Sequence, residues 1–245
     1  MLRRKINRSE LAKVIQEHLK WLESKGELGE KADLSGCDLA RQNFEKANLE
    51  RANLEGANLC QAKLRTANLT AANLWGATLE EADLHWAIVQ RANLKDACLN
   101  RANLIYANFS NADLSRAQME NTASHYTFYD NAILESANLQ GASIRFSDMN
   151  FANLHGANLS RTAIASSTMI SADLSFANLS NSKITMSDFE NAILINSRLN
   201  HSLIIRTSFK KVDFTGTDFN DAKVESGDFS ETVFSHNSRT VLERY

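Results

Sequence analysis

The sequence predicts an all-β solenoid, a tube of stacked coils, on three observations. The first is a period of five. From Leu34 to Phe234 every residue number ending in 4 or 9 is the centre of a five-residue unit, 41 units in one unbroken frame, and nearly every centre is Leu, Ile, Val, Met or Phe. The second is the residue two places before each centre, which is almost always Ala, Ser or Thr; Cys37, Gln42, Val212 and Gly227 are the departures. The third appears on taking every twentieth residue. Ile144, Ile164, Ile184, Ile204 and Val224 form a β-branched column, Phe109, Tyr129, Met149, Met169, Phe189, Phe209 and Phe229 a column of large unbranched side chains, and Leu34 to Leu194 a column of Leu alone. A fixed internal period decides the fold before any local propensity does. Neither the helical period of about 3.6 nor the strand period of about 2 fits five, whereas a short extended side followed by a turn does. One large and one small apolar residue then point inward per side, because a narrow tube has no room for two large ones.

Residues 47 to 59 read Ala-Asn-Leu-Glu-Arg-Ala-Asn-Leu-Glu-Gly-Ala-Asn-Leu. This A-(N/D)-L-x-x pattern resembles the pentapeptide-repeat family, and the resemblance covers residues 32 to 234. It implies a right-handed, four-sided parallel β-helix with four pentapeptides to a coil. Roughly ten coils would make a rod about 48 Å long at a strand spacing of ~4.8 Å. The expected organisation is a basic arm and capping helix over 1–30, the repeat over 31–235, and a short C-terminal cap or tail over 236–245.

Residues 1 to 8 are basic and expected to be loosely ordered. From Ser9 the pattern turns helical, with Leu11, Val14, Ile15, His18, Leu19 and Leu22 on one face. Ser9 is the expected N-cap and Gly26 the expected stop. An uncovered first coil exposes unpaired edge and apolar core, which invites aggregation. This helix is therefore read as the lid of the tube with Trp21 near the seam, the other reading being a helix that docks a partner or second subunit. His18 reads as a satisfied residue of that face. In the stretch 121–130, Ser124 and Tyr129 hold centres. A Ser there leaves a void unless Phe128 or Tyr129 fills it, with room for a small backbone distortion. Beyond it the pattern loosens, as small residues become Ser or Thr. Val241, Leu242 and Tyr245 make a short amphipathic end, so the chain is expected to be a monomer or a dimer through a solenoid end.

The chain is 43% hydrophobic with no Pro and nine Gly, which suits a fold that uses nearly every backbone amide in ladders. Its formal net charge is −2, which favours neither nucleic acid nor membrane. No apolar run is long enough to span a bilayer and no signal-type h-region is present, so a soluble cytoplasmic protein is expected. Cys37, Cys60 and Cys98 are an odd set in inequivalent positions, and no disulfide framework is expected. No catalytic constellation emerges, no cofactor or metal is expected, and the chain is not expected to be an enzyme. His85 and His125 share a column, but Ile105 stands between them and ~10 Å separates them, too far for one ion.

One exterior feature emerges from the coil arithmetic. The residue two after the centre, taken every twenty, reads Trp86, Tyr106, Tyr126 and Phe146 on adjacent coils. Beside them lie His85, Ile105, His125 and Arg145, with Ile88 and Phe128 nearby. Aromatics edged by Arg and His have the composition of a protein-binding hot spot. Stacked aromatics also stabilise the wall of a parallel sheet, and both readings stay open. The leading function is a non-enzymatic scaffold for an unknown protein partner. Some family members act in bacterial signalling or as secreted effectors. Others protect type II topoisomerases from quinolones by mimicking DNA, and that role is the alternative. Mimicry needs an acidic rod, whereas here Glu50, Glu80, Glu120, Asp130 and Glu190 are interleaved with Arg51, Arg91, Arg101 and Lys210.

Overall fold

The structure, a computed structural model, describes residues 4–234. It is a right-handed, four-sided parallel β-helix whose register advances by twenty residues per coil, from Asp33↔Asn53 at one end to Ser208↔Asp228 at the other. Each coil bonds to the next through main-chain pairs such as Leu54 N–H to Asn73 O (2.7 Å) and Asn73 N–H to Ala52 O (2.9 Å). The centres and the small residues two before them are buried along nearly the whole rod, in one continuous core.

The corners explain the period of five. Leu49 O accepts the N–H of Ala52 (3.0 Å), and Arg51 between them has φ 59°. That is a type II turn, which requires a left-handed residue in its third position. The same conformation recurs two residues after centre upon centre, at Arg91, Arg101, Asn111 and Asn121 among many others. The Asn before each centre locks the side. Asn73 Oδ1 accepts the N–H of Trp75 (3.3 Å) while its Nδ2 donates to Asn53 Oδ1 on the preceding coil (3.2 Å). Repeated Asn is thus ladder chemistry.

One side of the rod changes character half-way along. β3 (Ala123–His125), β4 (Ser143–Arg145), β5 (Ala163–Ala165), β6 (Lys183–Thr185), β7 (Leu203–Ile205) and β9 (Lys223–Glu225) form a six-stranded parallel sheet in the order β3-β4-β5-β6-β7-β9. The β-branched column occupies its centres, as extended backbone favours. The Ser and Thr that loosen the sequence pattern have a function here. At Thr127, Ser147 and Ser167 the backbone N–H donates to the hydroxyl one coil on, Thr127 to Ser147 Oγ at 3.2 Å and Ser147 to Ser167 Oγ at 3.1 Å. Each hydroxyl donates in turn to a carbonyl, Ser147 to Ser124 O at 2.7 Å. A hydroxyl column therefore replaces the ordinary turn bond, which keeps buried amides satisfied.

No bulge occurs at 121–130, where the register Asn103↔Ala123↔Ser143 is unbroken. The void beside Ser124 is filled by Tyr129, whose buried hydroxyl lies 3.0 Å from Ser124 Oγ. Phe128 stays outside. The rod's last pairing joins β8 (Asp213–Phe214) to β10 (Val233–Phe234). The expected C-terminal cap over 236–245 lies outside the described residues.

The N-terminal end corrects three expectations. From Arg4 onward the arm is not loose: β1 (Arg4–Lys5) pairs in parallel with β2 (Cys37–Asp38), and Ile6 is buried. The exposed edge of a first coil needs a backbone partner, and the arm supplies one. Helix α1 (Arg8–Glu23) is capped by Asn7, whose side chain accepts from Glu10 N (2.9 Å), so Ser9 lies inside the helix. Gly26 does take part in the stop. Its N–H reaches Trp21 O (2.8 Å) and that of Lys25, at φ 57°, reaches Leu22 O (3.2 Å), a Schellman motif. Leu11, Val14 and Ile15 pack on the core, which places the helix over the tube end. His18 is fully buried and only half satisfied. Its Nδ1 accepts from Ala32 N (3.1 Å), while Nε2 is buried with no hydrogen-bond partner among the described residues. Burial lowers its pKa and keeps it neutral. Trp21 stacks on it at 5.8 Å.

Candidate functional site: an aromatic ridge on one corner

The four aromatic residues stand on one corner of the rod, each in the left-handed turn position, with φ 60°, 59°, 54° and 53° from Trp86 to Phe146. That conformation throws each side chain outward, and the coil repeat sets each ring on the next. Trp86 and Tyr106 stack at 4.2 Å and 2°, Tyr106 and Tyr126 at 4.8 Å and 7°, Tyr126 and Phe146 at 4.9 Å and 9°. Trp86, Tyr126 and Phe146 remain 51%, 41% and 52% exposed, and Tyr106 is half-buried between neighbours.

The flanking residues divide between two sides. His85 sets its ring edge-on against Trp86 (6.0 Å) and Tyr106 (5.7 Å). Ile105 is half-buried beside it, and Arg145 is exposed. His125 turns away to bond Ser143 Oγ (2.9 Å), and burial, then the Arg145 charge, hold its pKa below the usual histidine range. Beyond the corner, Ile88 and Phe128 are exposed on the next side. Eight of the nine residues singled out in the sequence therefore lie along the ridge and its near flank, while Phe128 faces the next side.

Sequence reasoning missed the acid pair on that same side. Asp130 and Asp148 interact directly, and burial followed by the neighbouring carboxylate pushes Asp130 up to about 6. Their positions, one after a centre and one before the next coil's centre, belong to different columns, so counting by coils does not announce the contact. The sign of the consequence follows from linkage. A carboxyl raised in the folded state binds its proton more tightly there, so stability is greatest below the unfolded value and falls as pH rises through about 6. Asp130→Asn is expected to unfold later than wild type at pH 7 by on the order of 1 kcal/mol, the pair being partly solvated, and to match it near pH 3.5. Denaturant titrations at the two pH values check this; a destabilised variant at pH 7 would reverse the assignment.

Elsewhere the surface is neutralised in place. Arg101 bridges Glu80 and Glu81, Arg116 pairs with Asp96 at 2.6 Å, and Lys211 with Glu190 at 3.7 Å. A groove lined by Leu11, Ile15, Leu19 and Phe44 opens between α1 and the first coils, and no cluster of reactive groups faces it. Among the described residues no group of three or more His, Cys, Asp and Glu is placed to hold a metal ion, the three cysteines form no disulfide, and no helix is long and apolar enough to cross a membrane.

The model of pentapeptide repeats matches residues 30–65, 67–104, 92–123, 130–162 and 172–210, in eight copies. The chain belongs to the pentapeptide-repeat family. Members of this family are generally non-enzymatic scaffolds. Among solved structures, this pentapeptide-repeat protein is similar to HetL of the cyanobacterium Nostoc sp. strain PCC 7120, described as involved in heterocyst differentiation regulation. The identity is 23% and the TM-score 0.51, over 93% of this chain and 96% of that one. QnrB1, a plasmid-mediated fluoroquinolone resistance protein, matches at 15% identity and a TM-score of 0.33, over 88% of this chain and 97% of that one. The likeness to HetL speaks to the fold alone. A comparison with curated protein sequences finds no match.

Proposed function

We propose that this protein is a non-enzymatic scaffold that binds a protein partner through the ridge from Trp86 to Phe146. The observation that carries the reading is a stack of four rings, three of them 41–52% exposed, held by the rod rather than by a flexible loop. Rings already immobilised lose little entropy when a partner covers them, which is what makes aromatic anchors effective. Stabilisation alone accounts poorly for the ridge. Bulky residues at positive φ are disfavoured by about 1–2 kcal/mol, whereas Asn and Gly, used at many other corners, adopt it more readily. A stacked pair returns only about 0.5–1.5 kcal/mol. The two nearly cancel, so stacking adds little net stability at these corners, which supports a binding use. Ion pairs such as Arg116–Asp96 break up the acidic surface that imitation of DNA demands, and no observation favours that role.

The test is affinity capture from host lysate with wild type and the Tyr106→Lys, Tyr126→Lys double variant, circular dichroism confirming that both are folded. A partner retained by wild type and lost by the variant is the expected result. Equal recovery by the folded variant would mean that the ridge does not bind.

A further inference from the structure

The ridge has a missing rung. Below Phe146 its column continues with Ser166 and then Met186. The backbone is the same at all three, with φ 53°, 51° and 50°, so Ser166 stands where a ring would project. One face of Phe146 lies on Tyr126, and no ring among the described residues covers the other. Phe146 and Met186, 52% and 57% exposed, flank the vacancy from two coils about 10 Å apart. That is two stacking distances, room for one flat group between them. Its floor is Ala165 and Ser166, whose backbone is already engaged: Ser166 N–H donates to Thr185 O, and Ala165 O accepts from Phe146 N, both at 2.9 Å.

The flanks differ in charge. Beyond the corner, Asp148 and Asp188 stand two residues after Phe146 and Met186, with Thr168 between them and Asp130 a coil above. Asp148 Oδ1 accepts from Asn150 N (3.1 Å) and Thr168 Oγ1 (3.0 Å) and its carboxyl is also engaged by Asp130, while Asp188 Oδ1 accepts from Glu190 N (2.9 Å). The second oxygen of Asp188 receives no hydrogen bond from the described residues. Arg145 lies on the opposite flank, before the corner. A cation entering the gap therefore meets carboxylates on one side and is turned toward them by Arg145 on the other.

We propose that the Ser166 gap seats an arginine side chain of the protein partner, its guanidinium flat on the open face of Phe146 and its N–H edge toward Asp148 and Asp188. This rests on the reading of the ridge as a partner-binding surface and names the group it takes. A planar cation gains from the ring face and from the carboxylates together. Lysine has no plane to stack, and a neutral ring would cover the carboxylates without bonding them.

The experiment uses the full chain with 13C-methyl methionine and follows Met186, one of five methionines, its signal assigned by Met186→Leu. The probes are blocked Gly-Arg-Gly, Gly-Lys-Gly and Gly-Tyr-Gly peptides. The arginine peptide is expected to shift the Met186 methyl at about tenfold lower concentration than either other. The shift is expected to vanish in Ser166→Phe, which adds a fifth ring in a conformation its neighbours already hold. No shift with the arginine peptide up to about 20 mM, an equal or stronger response to the lysine or tyrosine peptide, or an unchanged shift in Ser166→Phe overturns the assignment. In affinity capture, a partner lost by Tyr106→Lys, Tyr126→Lys but kept by Ser166→Phe removes the arginine seat and leaves the ridge. A partner kept by both removes the ridge itself.

Discussion

Leu94→Ala is expected to lower stability by about 2–5 kcal/mol and to divide unfolding into two steps. Leu94 is fully buried in the column of Leu that runs from Leu34 to Leu194. The cavity it leaves cannot close, because the backbone around it is pinned on both sides: Leu94 N–H donates to Asp113 O (2.7 Å) and Asn93 N–H to Ala72 O (3.0 Å). In a globular core the loss would be shared by the whole domain. In a solenoid each coil contacts only its neighbours, so a weak coil uncouples the two halves. Hydrogen exchange should show amides near residues 75–114 losing protection well before those near 150–200. A single concerted transition, with a loss below about 1 kcal/mol, would mean that the coils are coupled over longer range than their contacts suggest.

The second large effect concerns a polar pair in the core, Ser124 and Tyr129. Ser124→Ile alone is expected to destabilise by about 2–4 kcal/mol. Isoleucine suits the β-branched column beneath it, but Tyr129 Oη already fills the space and would lose its 3.0 Å partner. Tyr129→Phe alone leaves the Ser124 hydroxyl buried and unpaired, at a cost of about 1–3 kcal/mol. The double variant Ser124→Ile, Tyr129→Met gives both columns the chemistry of the coils below, where Ile144 and Met149 occupy these positions. It is expected to fall within about 1 kcal/mol of wild type, so a double-mutant cycle by urea denaturation, with Tyr129→Met as the second single variant, is expected to show a coupling of at least about 2 kcal/mol. Additive losses would show the two positions to be independent. Burial also raises the Tyr129 pKa well above the ordinary phenol range, so the ring is not expected to ionise while the rod is folded.

Much of this molecule was legible before its structure because the repeat converts sequence distance into spatial distance. Residues twenty apart are neighbours on adjacent coils, so the stack from Trp86 to Phe146 could be read by counting. The same counting placed Ile144 to Val224 in one column, now the sheet β4 to β9. Where the period ends, counting fails. Arg4 and Lys5 carry no pattern that reveals a strand partner, because pairing with Cys37 and Asp38 depends on where α1 returns the chain. His18 looked like an ordinary face residue, since nothing in its spacing says that Ala32 will present an N–H to it. Asn7 and Ser9 are both good N-caps, and the entry angle of the arm chooses between them.

The corner residues show the division most clearly. Asn and Gly recur two after the centre at many units, Gly36, Gly56, Asn111 and Asn121 among them, and that enrichment was the available sign of a left-handed turn. The sequence by itself determined the period, the coil length, the inward residues and the existence of an exposed aromatic column, because all of these follow from a local unit repeated in register. Only the tertiary structure decided that hydroxyls replace a turn bond after β3, β4 and β5, that Tyr129 completes Ser124, that Asp130 and Asp148 meet, and that Ser166 leaves an open face on Phe146. Those features depend on the direction in which a side chain leaves its coil and on which groups of the next coil it then meets, and a five-residue pattern fixes spacing but not direction.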